Sequence, residues 1–80
     1  MDQLKQKSIE QYFAAHDISD PDQKAKILPE ITEIIYDRNV YVVQAEKEEN
    51  DYKKQQITND AIEMDKTINE IIQEFLEENQ

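Results

Sequence analysis

The single histidine, His16, is the first residue to consider for chemistry, because an imidazole can act as a general base near neutral pH. Catalysis would also need an orienting carboxylate and a nucleophile or a metal. Asp17 is only a neighbour in sequence, and the chain has no cysteine. A place at the end of a helix, where histidine interacts favourably with the helix dipole, explains His16 without catalysis. The sequence therefore predicts no catalytic residue, and we expect a protein that is not an enzyme.

Three aspartates, Asp17, Asp20 and Asp22, are the candidates for a metal site, because hard cations prefer carboxylate oxygens. An EF-hand loop also needs a central glycine, and this chain contains no glycine. Asp20 followed by Pro21 and Asp22 is instead typical of a helix start, with a capping carboxylate and proline at the first helical position. The lack of glycine also excludes Rossmann and Walker phosphate loops. The sequence predicts neither a metal nor a cofactor.

Composition restricts the class of protein further. The 80 residues include 19 acidic and 9 basic side chains, for a formal net charge of −10. This charge opposes binding to nucleic-acid phosphates and to anionic membrane surfaces. No apolar run approaches the ~20 residues that a membrane-spanning helix needs. Without cysteine or an apolar leader, the chain is expected to be one soluble helical domain over 1–80 in the cytoplasm, which binds neither nucleic acid nor membrane directly.

Helices are the elements predicted to position these residues. A capped turn at 17–22 separates a first helix over about 3–16 from a second over about 21–49. Pro29 lacks the N–H of an interior helix residue and clashes with the preceding turn, so we expect the second helix to be broken or kinked near it. The first helix is indicated by residues at helical spacing: Ile9, Tyr12, Phe13 and His16.

The last helix, over about 51–78, has the strongest pattern. Its apolar residues are spaced 4, 3, 4, 3, 4, as in a heptad seam: Ile57, Ala61, Met64, Ile68, Ile71 and Phe75. Asn50 and Asp51, where this helix begins, suit a turn and a helix cap. Folding the chain at Asn50 brings the apolar residues of the two long helices together. The predicted fold is therefore an all-α small helical bundle, with a short N-terminal helix across the base of a long antiparallel helical hairpin.

The alternative is an extended helix from about 30 to 79 that forms a coiled-coil-like dimer. It needs no turn, which suits a chain without glycine. It would, however, leave three polar residues on the extended seam, which weakens such a dimer: Lys47, Asn50 and Lys54. Self-association as a homodimer is compatible with both arrangements.

Two surfaces are candidates for partner binding. The second helix carries a narrow apolar stripe opposite its main one, called here the outer stripe: Tyr36, Val40 and Val43. A helix that is apolar on two sides needs two neighbours. Acidic residues surround the predicted turn and form a region called here the tip, with an aromatic side chain suited to an exposed contact: Glu46, Glu48, Glu49, Asp51 and Tyr52.

The function predicted from these features is that of a non-enzymatic helical protein–protein interaction module: an adaptor, an assembly factor or a small subunit. Its partner would be a protein, for which a basic surface is one option. The alternative is an acidic inhibitor that imitates nucleic-acid charge and blocks a basic groove on a target, as small phage-encoded antagonists do. A bacterial or phage origin suits this alternative. Steep salt dependence of binding would separate charge imitation from an apolar helix interface.

Overall fold

The computed structural model describes residues 5–78, which form three helices: α1 (Ile9–Ala15), α2 (Pro21–Lys47) and α3 (Asp51–Glu78). α2 and α3 pack against each other as a hairpin, and the molecule measures 45 × 23 × 17 Å. No strand occurs within the described range. The predicted all-α hairpin with a short N-terminal helix is confirmed. The extended helix is wrong, because the chain leaves the helical conformation at 48–50 and reverses.

α1 begins at Ile9, so the prediction that residues 5–8 are helical is wrong. The predicted start near residue 3 lies outside the described range. Ser8 has extended backbone angles and caps the helix. Its Oγ accepts from the Gln11 N–H at 3.2 Å, and Gln11 Oε1 accepts from the Ser8 N–H at 2.8 Å. This reciprocal capping box satisfies two backbone donors and fixes the start of the helix.

α1 ends in a left-handed residue although the chain has no glycine to supply one. Asp17 has a φ of 57°, the one positive φ that the described residues show. The Ile18 N–H donates to the Phe13 carbonyl at 2.9 Å and the Asp17 N–H to the Ala14 carbonyl at 3.2 Å, as in a Schellman motif. Ile18 and Phe13 are both buried in the core, which is the apolar contact that usually accompanies this motif.

Replacing Asp17 with glycine is expected to stabilise the protein by about 1 kcal/mol, because glycine removes the Cβ clash of the left-handed conformation. For a domain of this size, the expected rise in Tm is roughly 4–8 °C. Ser19→Gly is the matched control: Ser19 does not have a positive φ, so glycine there only increases the entropy of the unfolded chain and lowers Tm. Thermal unfolding followed by circular dichroism measures both. A Tm for Asp17→Gly at or below the wild-type value would contradict the expectation.

α2 is continuous from Pro21 to Lys47, so the predicted break at Pro29 is wrong, and a bend there stays a prediction. Proline leaves the Ala25 carbonyl without its helical donor. That loss is tolerated because Ala25 and Pro29 are both exposed to water. Ile27 and Ile31, on either side of the proline, are each 0% exposed. Their packing stabilises the helix across the proline.

The connection between the long helices lies where the turn was predicted, but its cap is a different residue. α2 ends at Lys47, two residues before the predicted end at 49. Asn50 Oδ1 accepts from the Lys53 N–H at 3.0 Å, so Asn50 caps α3. Asp51, expected to be the cap, is the first helical residue.

The hairpin seam contains a charged residue that sequence analysis passed over. The buried residues of α2 are spaced at intervals of three and four: Ile27, Ile31, Ile35, Arg38, Val42 and Ala45. Arg38 is 1% exposed, and its Nε lies 3.1 Å from Asp65 Oδ1 on α3. Folding about Asn50 would instead have set Ile62 at the level of Arg38, yet Ile62 is 49% exposed. The Arg38–Asp65 pair therefore marks a register displaced from the predicted one.

Candidate partner-binding surface

The outer stripe lies on the face of α2 that the hairpin leaves uncovered. Tyr36 is 68% exposed, and Val40 and Val43 are half-buried. α1 does not cover this stripe, because its Tyr12 and Phe13 pack in the core between the long helices. The three stripe residues line a shallow groove of about 330 Å³ together with polar neighbours: Gln6, Asn39, Gln44 and Lys47. The predicted stripe is thus placed on a concave, mainly apolar surface.

Residues 5–8, called here the N-terminal strap, are not helical, and Gln6 of this strap forms part of one wall of the groove. Asn39 holds the strap through two hydrogen bonds between its side-chain amide and the main chain of Lys7. Its Oδ1 accepts from the Lys7 N–H at 2.9 Å, and its Nδ2 donates to the Lys7 carbonyl at 2.7 Å. Gln6, between the residues bound at 5 and 7, lines the groove. The position of the strap therefore determines the shape of this wall.

Arg38 connects the strap to the interior of the hairpin. Its Nη1 donates to the Lys5 carbonyl at 2.6 Å and to Asn39 Oδ1 at 3.0 Å. Its Nε forms the 3.1 Å ion pair with Asp65, although the N–H is not aligned for a hydrogen bond. A guanidinium removed from water needs such compensation, because an unpaired buried charge is strongly unfavourable. Arg38 thus joins the strap, α2 and α3 in one polar network.

Tyr12 brings α1 into the same network. Its hydroxyl donates to Asp65 Oδ1, and the residue is 2% exposed. Burial raises the pKa of Tyr12 well above its usual value, and the hydrogen bond to the Asp65 carboxylate raises that pKa further. The phenol therefore stays protonated and keeps donating at pH values where an ordinary tyrosine ionises.

The raised pKa of Tyr12 predicts a stability that depends on alkaline pH. A group with a higher pKa in the folded state contributes stability that is fully present below the unfolded value of about 10 and is lost as pH rises through the folded pKa. We expect Tyr12→Phe to lose about 1.5–3 kcal/mol at pH 7, the range for a hydrogen bond to a charged group, and to show a weaker decline above pH 10. Urea unfolding at several pH values measures both effects.

Tyr52→Phe is the control for this experiment, because Tyr52 is 72% exposed and its hydroxyl accepts from the neutral Gln56 Nε2 at 3.1 Å. Its stability should follow that of the wild type within about 0.5 kcal/mol at every pH. An equal alkaline decline in Tyr12→Phe and wild type would show that Tyr12 is not the titrating group.

The tip is less acidic than its four carboxylates suggest. Glu46, Glu49, Asp51 and Tyr52 are exposed as predicted, whereas Glu48 is half-buried and its Oε1 accepts from the Asn50 N–H at 3.3 Å. Glu48 therefore takes part in the turn. Three lysines belong to the same segment and offset most of its negative charge: Lys47, Lys53 and Lys54. The tip is thus a weaker electrostatic surface than the net charge of the chain implies.

His16 has a structural position at the end of α1. Its Nε2 lies 2.9 Å from Asn69 Oδ1, and the Asn69 side chain donates to the Asp65 carbonyl at 3.0 Å. Asp20 Oδ1 accepts from the Asp22 N–H at 2.9 Å, so the carboxylate caps α2. Within residues 5–78, no three histidine, aspartate or glutamate side chains are grouped so as to hold a metal ion.

Four polar residues of the network escaped sequence reasoning: Lys7, Arg38, Asn39 and Asp65. A signal for two of them was present. Arg38 continues the seam spacing between Ile35 and Val42, and Asp65 does so between Ala61 and Ile68. Opposite charges at two seam positions of facing helices indicate an interhelical pair. The strap contacts had no such signal, because they join residues 32 and 33 positions apart through main-chain atoms.

None of the helices described is long and apolar enough to cross a membrane. Comparisons with protein-family models, with curated proteins and with solved structures give no match.

Proposed function

We propose that this chain is a non-enzymatic helical protein–protein interaction module that binds a protein partner at the outer stripe. The observation that carries the proposal is Tyr36, 68% exposed beside two half-buried valines in a groove of about 330 Å³. Grouped exposed apolar side chains usually mark an interaction surface, and tyrosine is enriched at such sites because it combines apolar area with a hydroxyl.

The chemistry of the partner follows from charge. Glu33 and Asp37, on the turns of α2 beside Tyr36, are both exposed, and the whole chain carries −10. A partner with apolar side chains at helical spacing and basic residues around them complements this surface. A second copy of the chain is the other candidate, but two molecules of the same strong charge repel each other. The cytoplasmic location expected from the lack of cysteine stays a prediction.

Paired variants test this function. Val40→Gln combined with Val43→Gln removes apolar area from the stripe without changing the charge, and Ile62→Gln does the same at a 49% exposed residue of α3. Each immobilised protein is used to capture partners from an extract of the source organism. We expect one protein to be retained by wild type and by Ile62→Gln and to be lost from the double variant. Equal capture by all three proteins would contradict binding at the outer stripe.

The second candidate function is charge imitation, favoured by the outer face of α3. Four exposed glutamates share this face: Glu63, Glu70, Glu74 and Glu77. Lys66 is the one lysine or arginine between residues 59 and 78. If these carboxylates replace phosphates in a basic groove, affinity for the target falls at least tenfold between 50 and 300 mM salt. An affinity that does not change with salt would exclude charge imitation and favour the apolar stripe.

A further inference from the structure

The N-terminal strap is held by contacts that recognise a peptide main chain. Asn39 bonds both the N–H and the carbonyl of Lys7, and Arg38 bonds the carbonyl of Lys5. A side-chain amide that donates and accepts at one residue pairs with extended backbone as a neighbouring strand would. These three bonds are indifferent to which side chains the bound segment carries.

The side chain of Lys7 adds a preference for one residue type. Its Nζ lies 3.6 Å from Asp65 Oδ1 and 5.4 Å from the centre of the Tyr12 ring. An ammonium group gains both from a carboxylate and from the face of an aromatic ring. The site therefore favours a bound segment with lysine at the residue whose main chain is hydrogen-bonded to Asn39.

We propose that Arg38, Asn39 and Asp65 form a binding site for an extended peptide with a lysine at its central residue. The strap occupies this site within the same molecule, and a lysine-containing extended segment of a partner protein takes its place by exchange. The site accepts its ligand through main-chain atoms and a cation, so it does not require that the outer stripe binds anything.

Exchange is physically accessible because, apart from the capping box of Ser8, the strap is attached through the contacts of Lys5 and Lys7 described above. Lys5, Gln6 and Ser8 are exposed and Lys7 is half-buried, and within residues 5–78 the first one packed against the core is Ile9. Segments with few buried apolar contacts open at a low cost in free energy. The strap nevertheless competes at the high effective concentration of a tethered ligand, so a free peptide binds weakly while the strap is intact.

A strap-disabled form of the full chain tests the proposal. Lys7→Pro removes both the N–H that donates to Asn39 Oδ1 and the ammonium, so the strap loses its main attachment. The probe is an acetylated, amidated peptide with the sequence of residues 3–8, titrated into the labelled protein and followed at the Asn39 side-chain amide by NMR. We expect it to bind Lys7→Pro at least tenfold more tightly than it binds the wild type. Lys7→Ala, which keeps the N–H, should give an intermediate affinity.

Two altered peptides separate specific from nonspecific binding. Methylation of the Lys7 peptide nitrogen removes one main-chain bond, and glutamate in place of Lys7 reverses the charge that meets Asp65. Each change is expected to weaken binding to the Lys7→Pro protein about fivefold to tenfold. Addition of Asn39→Ala to the Lys7→Pro protein should weaken binding at least as much, with the Arg38 side chain, which donates to the Lys5 carbonyl, as the NMR probe in this variant. The proposal would be overturned if the methylated and unmethylated peptides bound the Lys7→Pro protein with equal affinity. It would also be overturned if the peptide caused no change in the NMR signal of the Asn39 side-chain amide.

Changes in the outer stripe provide the remaining comparison. Val40→Gln with Val43→Gln, introduced into the Lys7→Pro protein, should leave peptide affinity within a factor of two. The peptide result therefore stands or fails separately from partner binding at the stripe.

Hydrogen exchange of the Lys7 amide gives a measurement that needs no strap variant. Its exchange rate should be at least tenfold faster in Asn39→Ala than in the wild type. Unchanged exchange would show that Asn39 does not hold the strap.

Discussion

Asp65→Ala is expected to lower the free energy of unfolding by about 3–5 kcal/mol, because it leaves the Arg38 guanidinium buried without its carboxylate. Arg38 is 1% exposed, so its charge is removed from water in the folded state. Tyr12 loses its acceptor in the same change. An 80-residue domain has a total stability of roughly 4–12 kcal/mol, so the expected loss is a large fraction of the whole.

Two comparisons make this prediction specific. Arg38→Met places an apolar side chain of similar length in the seam and leaves Asp65, whose side chain is 24% exposed, near Lys7 and Tyr12. Its expected cost is about 0–2 kcal/mol, since replacing a buried charge by an apolar group is tolerated better than leaving one unpaired. Asp60→Ala, at an exposed carboxylate of α3, should change stability by less than about 0.5 kcal/mol. Urea unfolding in which Arg38→Met is the more damaged variant would contradict this role of the pair.

Ile68→Ala is expected to cost about 2–4 kcal/mol, the second large effect. Ile68 is 0% exposed and lies in a core cluster to which all three helices contribute. Truncation to alanine loses the favourable free energy of burying the deleted carbon atoms. It also leaves a cavity that residues of α1 and α2 cannot close without moving. Ile62→Ala, at a position 49% exposed, is the matched control and should cost less than about 1 kcal/mol. Similar midpoints of urea unfolding for the two variants would contradict the position of the seam.

The hairpin was predictable from sequence because its signal is local and repeated. Ala61 and Ile68, which the heptad spacing placed on the seam of the last helix, are both buried. Asn50, the residue at which the turn was predicted, lies in the non-helical segment 48–50 where the chain reverses. The register was not predictable from apolar residues alone. Arg38 and Asp65 occupy seam positions, and a search for apolar matches passes over a polar pair.

Helix ends were predicted less well, because competing local interactions decide them. The first helix was extended too far toward the N-terminus since its spacing pattern hid the capping box of Ser8 and Gln11. Pro29 was expected to break α2 on the basis of backbone chemistry, but the buried isoleucines on either side outweigh one lost hydrogen bond at an exposed carbonyl. Packing between the long helices overrides the local preference.

The candidate site was partly predictable. Projection of α2 placed Tyr36, Val40 and Val43 together, and they do line one groove. The other wall depends on the strap, whose main-chain contacts carry no residue pattern. The acidity of the tip was overestimated because the lysines of the same segment were not weighed against its carboxylates.

Site-specific photo-crosslinking tests most directly whether the outer stripe is the partner-binding surface. A photoreactive phenylalanine analogue is placed in turn at the three most exposed large apolar residues of the described range: Tyr36, Tyr52 and Ile62. We predict that Tyr36 crosslinks one partner protein in the source organism, and that Val40→Gln with Val43→Gln abolishes this product. Crosslinks that form from Tyr52 or Ile62, with none from Tyr36, would contradict binding at the outer stripe.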